Sequence, residues 1–301
     1  MPTVSRPLVS VMLPCFNAAD TLPLALGALL AQTVTDWECV CIDDGSSDET
    51  WKVLSAARQT DSRFTIERFA ENRGRGAARQ RALELARGEF LAFQDSDDWM
   101  YPDRLDKEMR WMAADSRIVA VSACAAVTEG SETLVGVMRP RSDRPLPIVE
   151  PFEEPVPPPL LFPTSMVRTD LAKSVGFDPA FLRSQDSDFL IRMMLGRHYA
   201  LGSEVLYAYS QGTAASLERS LEGYKFRMRS HMRHIREYPT RVARTLTETG
   251  AKYLTYRVAG LLQMDRRLIE RRWGDANDEI ARDFQAALAT VKAASLQLSA
   301  A

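Results

Sequence analysis

The sequence predicts an α/β fold with a mainly parallel central sheet flanked by helices, followed by a C-terminal helical extension. Three observations lead there. Short apolar runs alternate with segments of helical periodicity over residues 1–127. Polar, turn-forming clusters follow the apolar runs, which places them along one edge of the sheet. From about Leu217 onward the pattern is helical to the end.

Taken in order, Leu8 to Leu13 is a short apolar strand. Asp20 to Gln32 carries Leu22, Leu26, Leu29 and Leu30 at helical spacing. Trp37 to Ile42 is the second strand, and Asp48 to Arg58 is a helix opened by Ser47 or Asp48 as N-cap. Phe64 to Phe69 alternates as a third strand, and Ala77 to Arg87 is a helix closed by Gly88. Glu89 to Gln94 is a fourth strand, followed by a helix from Pro102 to about Asp115 and a fifth strand from Ile118 to Val127. Such alternation implies right-handed crossovers. Nine prolines then crowd the stretch from Arg139 to Pro163, which excludes helix and central strand and predicts a long irregular segment or lid. Order returns at Thr164 with a strand, a helix from Asp170 to Val175 and another near Asp188 to Leu195.

The chain has 301 residues, 46% hydrophobic and 26% charged, with formal net charge −2, enough for a large core in one large or two smaller domains. That balance gives no global case for nucleic acid. Cys15, Cys39, Cys41 and Cys124 lie mostly in apolar runs and form no CxxC, so buried free thiols in a reducing cytosol are expected. Three histidines without ligand spacing argue against zinc. The N-terminus lacks a long apolar stretch, and no run of about 20 apolar residues occurs, so neither a signal peptide nor a membrane span is expected.

The chemistry concentrates at Asp95-Ser96-Asp97-Asp98, directly after the fourth apolar run. Carboxylates at the end of a buried strand need positive partners. Asp95 and Asp97 are two apart and point the same way in extended backbone, which suits a hard divalent cation. The competing reading is a turn with an N-cap. In a parallel sheet, ligands bind outside the carboxyl ends of the strands. Pro14-Cys15-Phe16-Asn17, Asp43-Asp44-Gly45-Ser46-Ser47-Asp48, Asn72-Arg73-Gly74-Arg75-Gly76 and the aspartate tetrad all fall there.

These four motifs, in this order and spacing, resemble the family 2 glycosyltransferases of GT-A (Rossmann-like) fold over roughly residues 8–216. The resemblance implies a metal-dependent, inverting transferase using a nucleotide-sugar donor, UDP-linked by expectation, and a glycan or lipid-linked acceptor in cell-surface polysaccharide biosynthesis. It implies a base-reading role for Asp44, a frame from Pro14, Phe16 and Asn17, and close backbone approach at Gly74. Arg79 is placed near the diphosphate, Asp95 and Ser96 near ribose or a metal-bound water, and Asp97 as the ligand of Mn²⁺ or Mg²⁺, with Asp95 in support. Asp98 is left between the metal site and a cap of the next helix.

On the acceptor side, Gly176-Phe177-Asp178 is followed by Ser184-Gln185-Asp186-Ser187-Asp188, and Asp186 matches the family's catalytic base, with Gln185 where a Glu is usual. The other reading of Asp186 is a helix N-cap. A Tyr-Arg-x-His segment common in relatives is absent: Ser210 stands at the Arg position and Gly212 at the His position. The expected organisation is a transferase domain over 1–216 (donor half about 1–127, proline-rich loop about 139–163, acceptor half about 164–216) and a helical region over 217–301. Arg219, Lys225, Arg227, Arg229, Arg233, Arg236, Arg241 and Arg244 in that last region suit peripheral contact with an anionic membrane, at the inner face of a cytoplasmic location, or a solvated or packing surface. The alternatives are a nucleotide-sugar-binding protein that has lost turnover and a nucleotidyltransferase. The oligomeric state is open.

Overall fold

A computed structural model describes residues 7–211, 217–261 and 273–299. Four parallel strands form one half of a ten-stranded sheet: β1 (Val9–Cys15), β2 (Trp37–Asp43), β3 (Phe64–Arg68) and β4 (Phe90–Phe93), in spatial order β3-β2-β1-β4. Helices α1 (Leu22–Leu30), α2 (Thr50–Thr60) and α3 (Arg75–Leu85) make the crossovers. Asp48 serves the start of α2: its Oδ1 accepts the Thr50 amide at 3.0 Å and the Thr50 hydroxyl at 2.6 Å.

Beyond β4 the sheet is mixed. After β5 (Trp99–Met100) and α4 (Arg104–Ala114), β6 (Ile118–Glu129) runs in the same sense as β4, but it does not touch it. β9 (Ser165–Arg168) inserts between them, antiparallel to both. β10 (Arg197–Gln211) then lies parallel to β6, with β5 antiparallel on its far side. Two further strands pair antiparallel, β7 (Thr133–Met138) with β6 and β8 (Ile148–Phe152) with β10.

The proline-rich segment is therefore more ordered than its composition predicts. β8 pairs with β10 alone, an edge position that tolerates proline, and Pro151 stands opposite His198. Phe152, Leu160 and Phe162 from the same stretch are buried, so it is packed wall rather than a free lid.

Residue alternation in β1 builds two cores on the two sheet faces. Val9, Val11 and Leu13 point to one, with Leu22, Leu26 and Leu29 of α1. Met12 points to the other, with Ala78, Ala82 and Leu83 of α3 and the aromatic group Phe93, Phe162, Phe177 and Phe189. Phe93 stacks on Phe162 at 4.1 Å, and Phe177 on Phe189 at 4.4 Å. All four cysteines are buried free thiols. Helices α5 (Thr169–Val175) and α6 (Gln185–Met194) cover the second core, with α7 (Leu217–Met232) against α6 and α8 (Pro239–Leu261) against α7.

The chain returns to its beginning at the end. Helix α9 (Asp278–Ser299) places Phe284, Leu288 and Val291 in the same core as β1 and α1. The approach is close: a Cβ on Gly27 of α1 would lie 2.6 Å from the Ser295 Cβ. Several basic residues of α7, α8 and the turn between them make contacts within the protein. Arg229 lies over Phe181 at 5.4 Å, Arg233 pairs with Asp178, Arg241 with Glu154 at 2.8 Å and Arg244 with Glu248 at 2.9 Å. Among the described residues no helix is long and apolar enough to cross a membrane.

A fully buried arginine stitches the two halves of the sheet. Arg104 donates to the carbonyls of Phe93 at 3.0 Å and Ser165 at 3.2 Å, and to Glu108 at 3.1 Å. Burial outweighs Arg104's attraction and pushes the Glu108 carboxyl up to about 7, from 4.5. Its Oε2 is buried without a hydrogen-bond partner, as a protonated oxygen tolerates better than a charged one. The native state thus binds this proton more tightly than the unfolded chain. The contribution is full below the unfolded value and is lost as pH rises through the folded one. Urea denaturation is expected to show stability falling by ~3 kcal/mol from this group between about pH 4 and pH 8, and Glu108→Gln to flatten that slope.

Candidate active site

The loops leaving β1, β2 and β4 and the turn entering α3 meet at the carboxyl edge of the sheet. Asn17 takes a left-handed conformation (φ +47°) that turns its amide to the Ser46 hydroxyl at 2.9 Å and its Oδ1 to the Ser47 amide at 2.9 Å. Asp43 is fully buried, accepts the Ser46 amide at 3.0 Å and lies 3.1 Å from Arg68 Nε, so it shapes the turn. Gly45, at φ +71°, sits where a Cβ would meet the Glu71 carbonyl carbon at 2.6 Å. Asp44 then reaches the α3 turn, accepting the amides of Arg73 at 2.7 Å and Gly74 at 2.9 Å. Burial raises its pKa against the lowering effect of those two bonds. Each of its oxygens keeps one acceptor direction for a ligand.

The aspartate tetrad divides into three roles. Asp95 is anchored: its amide donates to the Tyr207 hydroxyl at 3.1 Å, and its carboxylate pairs with Arg79 at 2.9 Å and Arg75 at 3.8 Å. Burial works to raise its pKa, but the two guanidiniums win and hold it below the ordinary value. Asp97 is exposed at the cleft, and desolvation followed by repulsion from Asp95 raises its pKa. Asp98 is buried and accepts the Ser210 amide at 2.7 Å. It ties β10 to the loop and does not cap α4, which begins at Arg104.

Arg79 was expected near a diphosphate. It is 4% exposed, stacked 4.4 Å over Phe162, and does not line the cleft. Of the guanidiniums that do, Arg75 is the one beside Asp95, with its side chain 60% exposed. The fields of Asp95, Asp97 and Asp186 act on it together to raise its pKa, with Asp95 the largest.

Asp186 lies in the first turn of α6, half-buried, its Oδ1 on the Ser187 amide at 2.8 Å. Its neighbour Asp188 is structural: it holds Arg192 at 2.8 Å and accepts the Ser230 hydroxyl at 2.9 Å, fastening α6 to α7. Ser210 is engaged with Asp98, and the Gly212 position lies outside the described residues.

The resulting cleft has a volume of about 550 Å³. It is lined by every expected donor residue except Arg79: Pro14, Phe16, Asn17, Asp44, Gly74, Asp95 and Ser96, together with Asp97. Arg75, Arg183 and Thr21 line it too. A larger cleft of about 830 Å³, between α4, β10 and α9, contains none of the four motifs. Among the described residues no three His, Cys, Asp or Glu side chains converge as a complete metal site. The donor set fits a cation only with help: Asp97 offers hard oxygens at an electronegative edge, and ions such as Mg²⁺ are commonly held by one or two carboxylates plus substrate phosphates.

Arg75, Arg183 and Tyr207 were missed from sequence. Arg75 lies between the two glycines that drew attention, and its charge was itself a signal. Tyr207 lies in an apolar strand run, and nothing local announces its contact with Asp95.

An open α/β sheet with a cleft of about 550 Å³ lined by Asp44, Asp95 and Asp97 at its carboxyl edge has the architecture of the GT-A class. Residues 10–174 match the model of glycosyl transferase family 2, more than half of the chain, and the chain belongs to that family. TuaG of Bacillus subtilis (strain 168), named for teichuronic acid biosynthesis, is 38% identical over 107 residues, 36% of this chain and 42% of that protein. The UDP-Glc:alpha-D-GlcNAc-diphosphoundecaprenol beta-1,3-glucosyltransferase WfgD of Escherichia coli is 38% identical over 106 residues, covering 35% and 41%. The matches thus span less than half the length of these relatives. Among solved structures, S. aureus TarS 1–349 in complex with UDP-GlcNAc is similar with a TM-score of 0.59 at 21% identity, covering 74% of this chain and 66% of that one. The mannosyltransferase PcManGT of Pyrobaculum calidifontis, in complex with GDP-Man and Mn²⁺, has a TM-score of 0.58 at 18% identity and covers 98% and 88%. At these identities the structures establish the fold.

Removing the Arg79 guanidinium leaves the Asp95 charge buried with the more distant Arg75 as its cation. Arg79→Met is expected to cost roughly 3 kcal/mol or more in urea denaturation, well above the cost of losing an exposed pair such as Lys52–Glu49.

Proposed function

We propose that the protein is an inverting glycosyltransferase that moves a sugar from a nucleoside diphosphate sugar, UDP-linked, to a hydroxyl of a glycan or lipid-linked acceptor in cell-surface polysaccharide assembly. The observation that carries this reading is the single cleft at the carboxyl edge of the sheet that gathers Pro14, Phe16, Asn17, Asp44, Gly74, Asp95, Ser96 and Asp97 from four separate loops. The names of TuaG and WfgD support the pathway class and the UDP-linked donor.

The roles follow from chemistry and placement. Asp44, with Pro14, Phe16 and Asn17, frames the nucleotide base, and the Gly74 turn lets the backbone approach the phosphates. Ser96 and the Asp95 loop face the ribose side of the cleft. Asp97 holds the divalent cation, Mn²⁺ or Mg²⁺, which when bound neutralises charge on the departing diphosphate. Asp186 accepts the proton of the attacking acceptor hydroxyl. The new C–O bond forms as the bond from the anomeric carbon to the diphosphate oxygen breaks, with the leaving electron pair on that oxygen. Attack from the face opposite the leaving group inverts the anomeric centre.

Two measurements test this. A thermal-shift screen of nucleoside diphosphates and UDP-sugars, with and without Mn²⁺, is expected to favour uridine nucleotides. At about a hundredfold excess over Kd the ligand stabilises by ~2.7 kcal/mol, a rise of several degrees in Tm. A response to UTP but not to UDP-sugars points instead to nucleotidyl transfer. Asp186→Asn is expected to lower the transfer rate by roughly 10²–10⁴ with UDP affinity by calorimetry nearly unchanged. Comparable loss of UDP binding in a folded variant overturns the base assignment. Tight donor binding by the native protein without transfer or hydrolysis favours a binding protein.

A further inference from the structure

The donor cleft is short of positive charge. Asp44, Asp95 and Asp97 line it, and among the described residues its lining cations are Arg75 and Arg183. Arg79 is sealed beneath Asp95, and Arg75 is drawn to that same carboxylate. Ser210 stands where the family motif carries an arginine, and its amide is already bound to Asp98. A nucleoside diphosphate sugar adds two negative charges to this surface, and breaking its glycosyl bond adds more to the leaving phosphate. Arg183 is the remaining cation placed to meet them.

The turn that carries Arg183 is anchored on both sides, while its side chain is half-exposed. Phe181, just before it, is buried and packs on Phe226 of α7 at 5.8 Å. Ser184, just after it, adopts φ +53° and donates its hydroxyl to the Gly223 carbonyl at 3.1 Å. Between these anchors the Arg183 side chain is 46% exposed, and its Nε lies 3.4 Å from Oε2 of Glu222, itself 49% exposed. A single half-exposed contact of that length is weak. A guanidinium on phosphate oxygens makes shorter, two-pronged, charge-assisted bonds.

We propose that Arg183 is a donor-binding residue that exchanges Glu222 for the diphosphate of the nucleotide sugar, a role that rests on the glycosyltransferase reading. Glu222 is then a competitor. It holds the arginine at the cleft wall before the donor arrives and opposes its transfer to phosphate. The contact gains strength as charge accumulates on the leaving diphosphate, so Arg183 favours the products of bond breaking over the intact donor.

The test is calorimetric titration of the full chain with UDP and with UMP, both with Mg²⁺, for the native protein and for Arg183→Ala, Arg183→Lys and Glu222→Gln. Arg183→Ala is expected to weaken UDP about tenfold or more and UMP less than about twofold, with Arg183→Lys in between. Glu222→Gln, which frees the arginine, is expected to tighten UDP by roughly two- to threefold. Equal loss of UDP and UMP, no loss of UDP, or a Glu222→Gln variant weakened like Arg183→Ala overturns the role, the last because it makes the pair a prop for the turn. If Arg183→Ala fails to fold, the lysine and Glu222→Gln arms still decide. Native protein that binds none of UDP, GDP, CDP and dTDP overturns the nucleotide-sugar reading itself along with this one. Native binding of UDP with unchanged variants removes Arg183 alone.

Discussion

The Asp95–Arg79 ion pair joins the end of β4 to α3 inside the protein, and the cleft takes its shape from that joint. Both partners are nearly enclosed, at 15% and 5% side-chain exposure, so neither has water to fall back on. A buried pair of this kind is weak evidence of net stabilisation, because desolvating two ions offsets their attraction. Its physical effect is positional: separation leaves the Arg79 charge unpaired in the interior and Asp95 with only the more distant Arg75, so the two elements stay together. Phe162 under the Arg79 guanidinium and Phe93 against Phe162 extend the constraint into the second core. The Tyr207 hydroxyl fixes the Asp95 amide from β10. Three separated stretches of chain therefore meet at one residue, Asp95.

The remaining loops are held by a different device. Side-chain oxygens accept backbone amides across loop boundaries: Asn17 from Ser47, Asp44 from Arg73 and Gly74, Asp98 from Ser210. Each such bond satisfies an amide that a turn at the sheet edge leaves without a ladder partner. The result is a cleft whose walls are tied before any ligand arrives, which is the condition under which polar groups act without reorganising. The sheet below makes this possible. Alternation along β1 sends apolar side chains to both faces, both faces are covered, and the polar chemistry is left to the edge.

What could be read from the residues depended on whether the cause was local. Helix and strand periodicity placed the first four strands and three helices within a few residues, because each is decided by side chains a short distance apart. The motif loops were legible for the same reason. The insertion of β9 between β4 and β6 was not, since strand order is decided by contacts far apart in sequence, among them Arg104 bonding the carbonyls of Phe93 and Ser165. The proline count was read as irregularity, but an edge strand accepts proline wherever the missing amide would face no partner. Likewise Arg79 and Arg75, four residues apart on one helix, are near-equivalent by sequence. Tertiary packing decides which is buried under Asp95 and which faces the cleft. Nor does helical periodicity tell that α9 packs back on α1, because an apolar helical face does not name its partner.

The distribution of charge then separates what the protein supplies from what a ligand must bring. Asp95 is neutralised from within by Arg79, and Asp98 is engaged with backbone, which leaves Asp97 as the exposed carboxylate of the tetrad. One carboxylate is a poor cation site alone and an adequate one when phosphate oxygens complete the shell. The same logic applies to the arginines: Arg79 at 2.9 Å and Arg75 at 3.8 Å share the Asp95 carboxylate, so positive charge at the cleft is already committed in part to the protein's own acid. Under the proposed function, a diphosphate entering this cleft competes with Asp95 for Arg75 unless it brings a cation or engages another guanidinium.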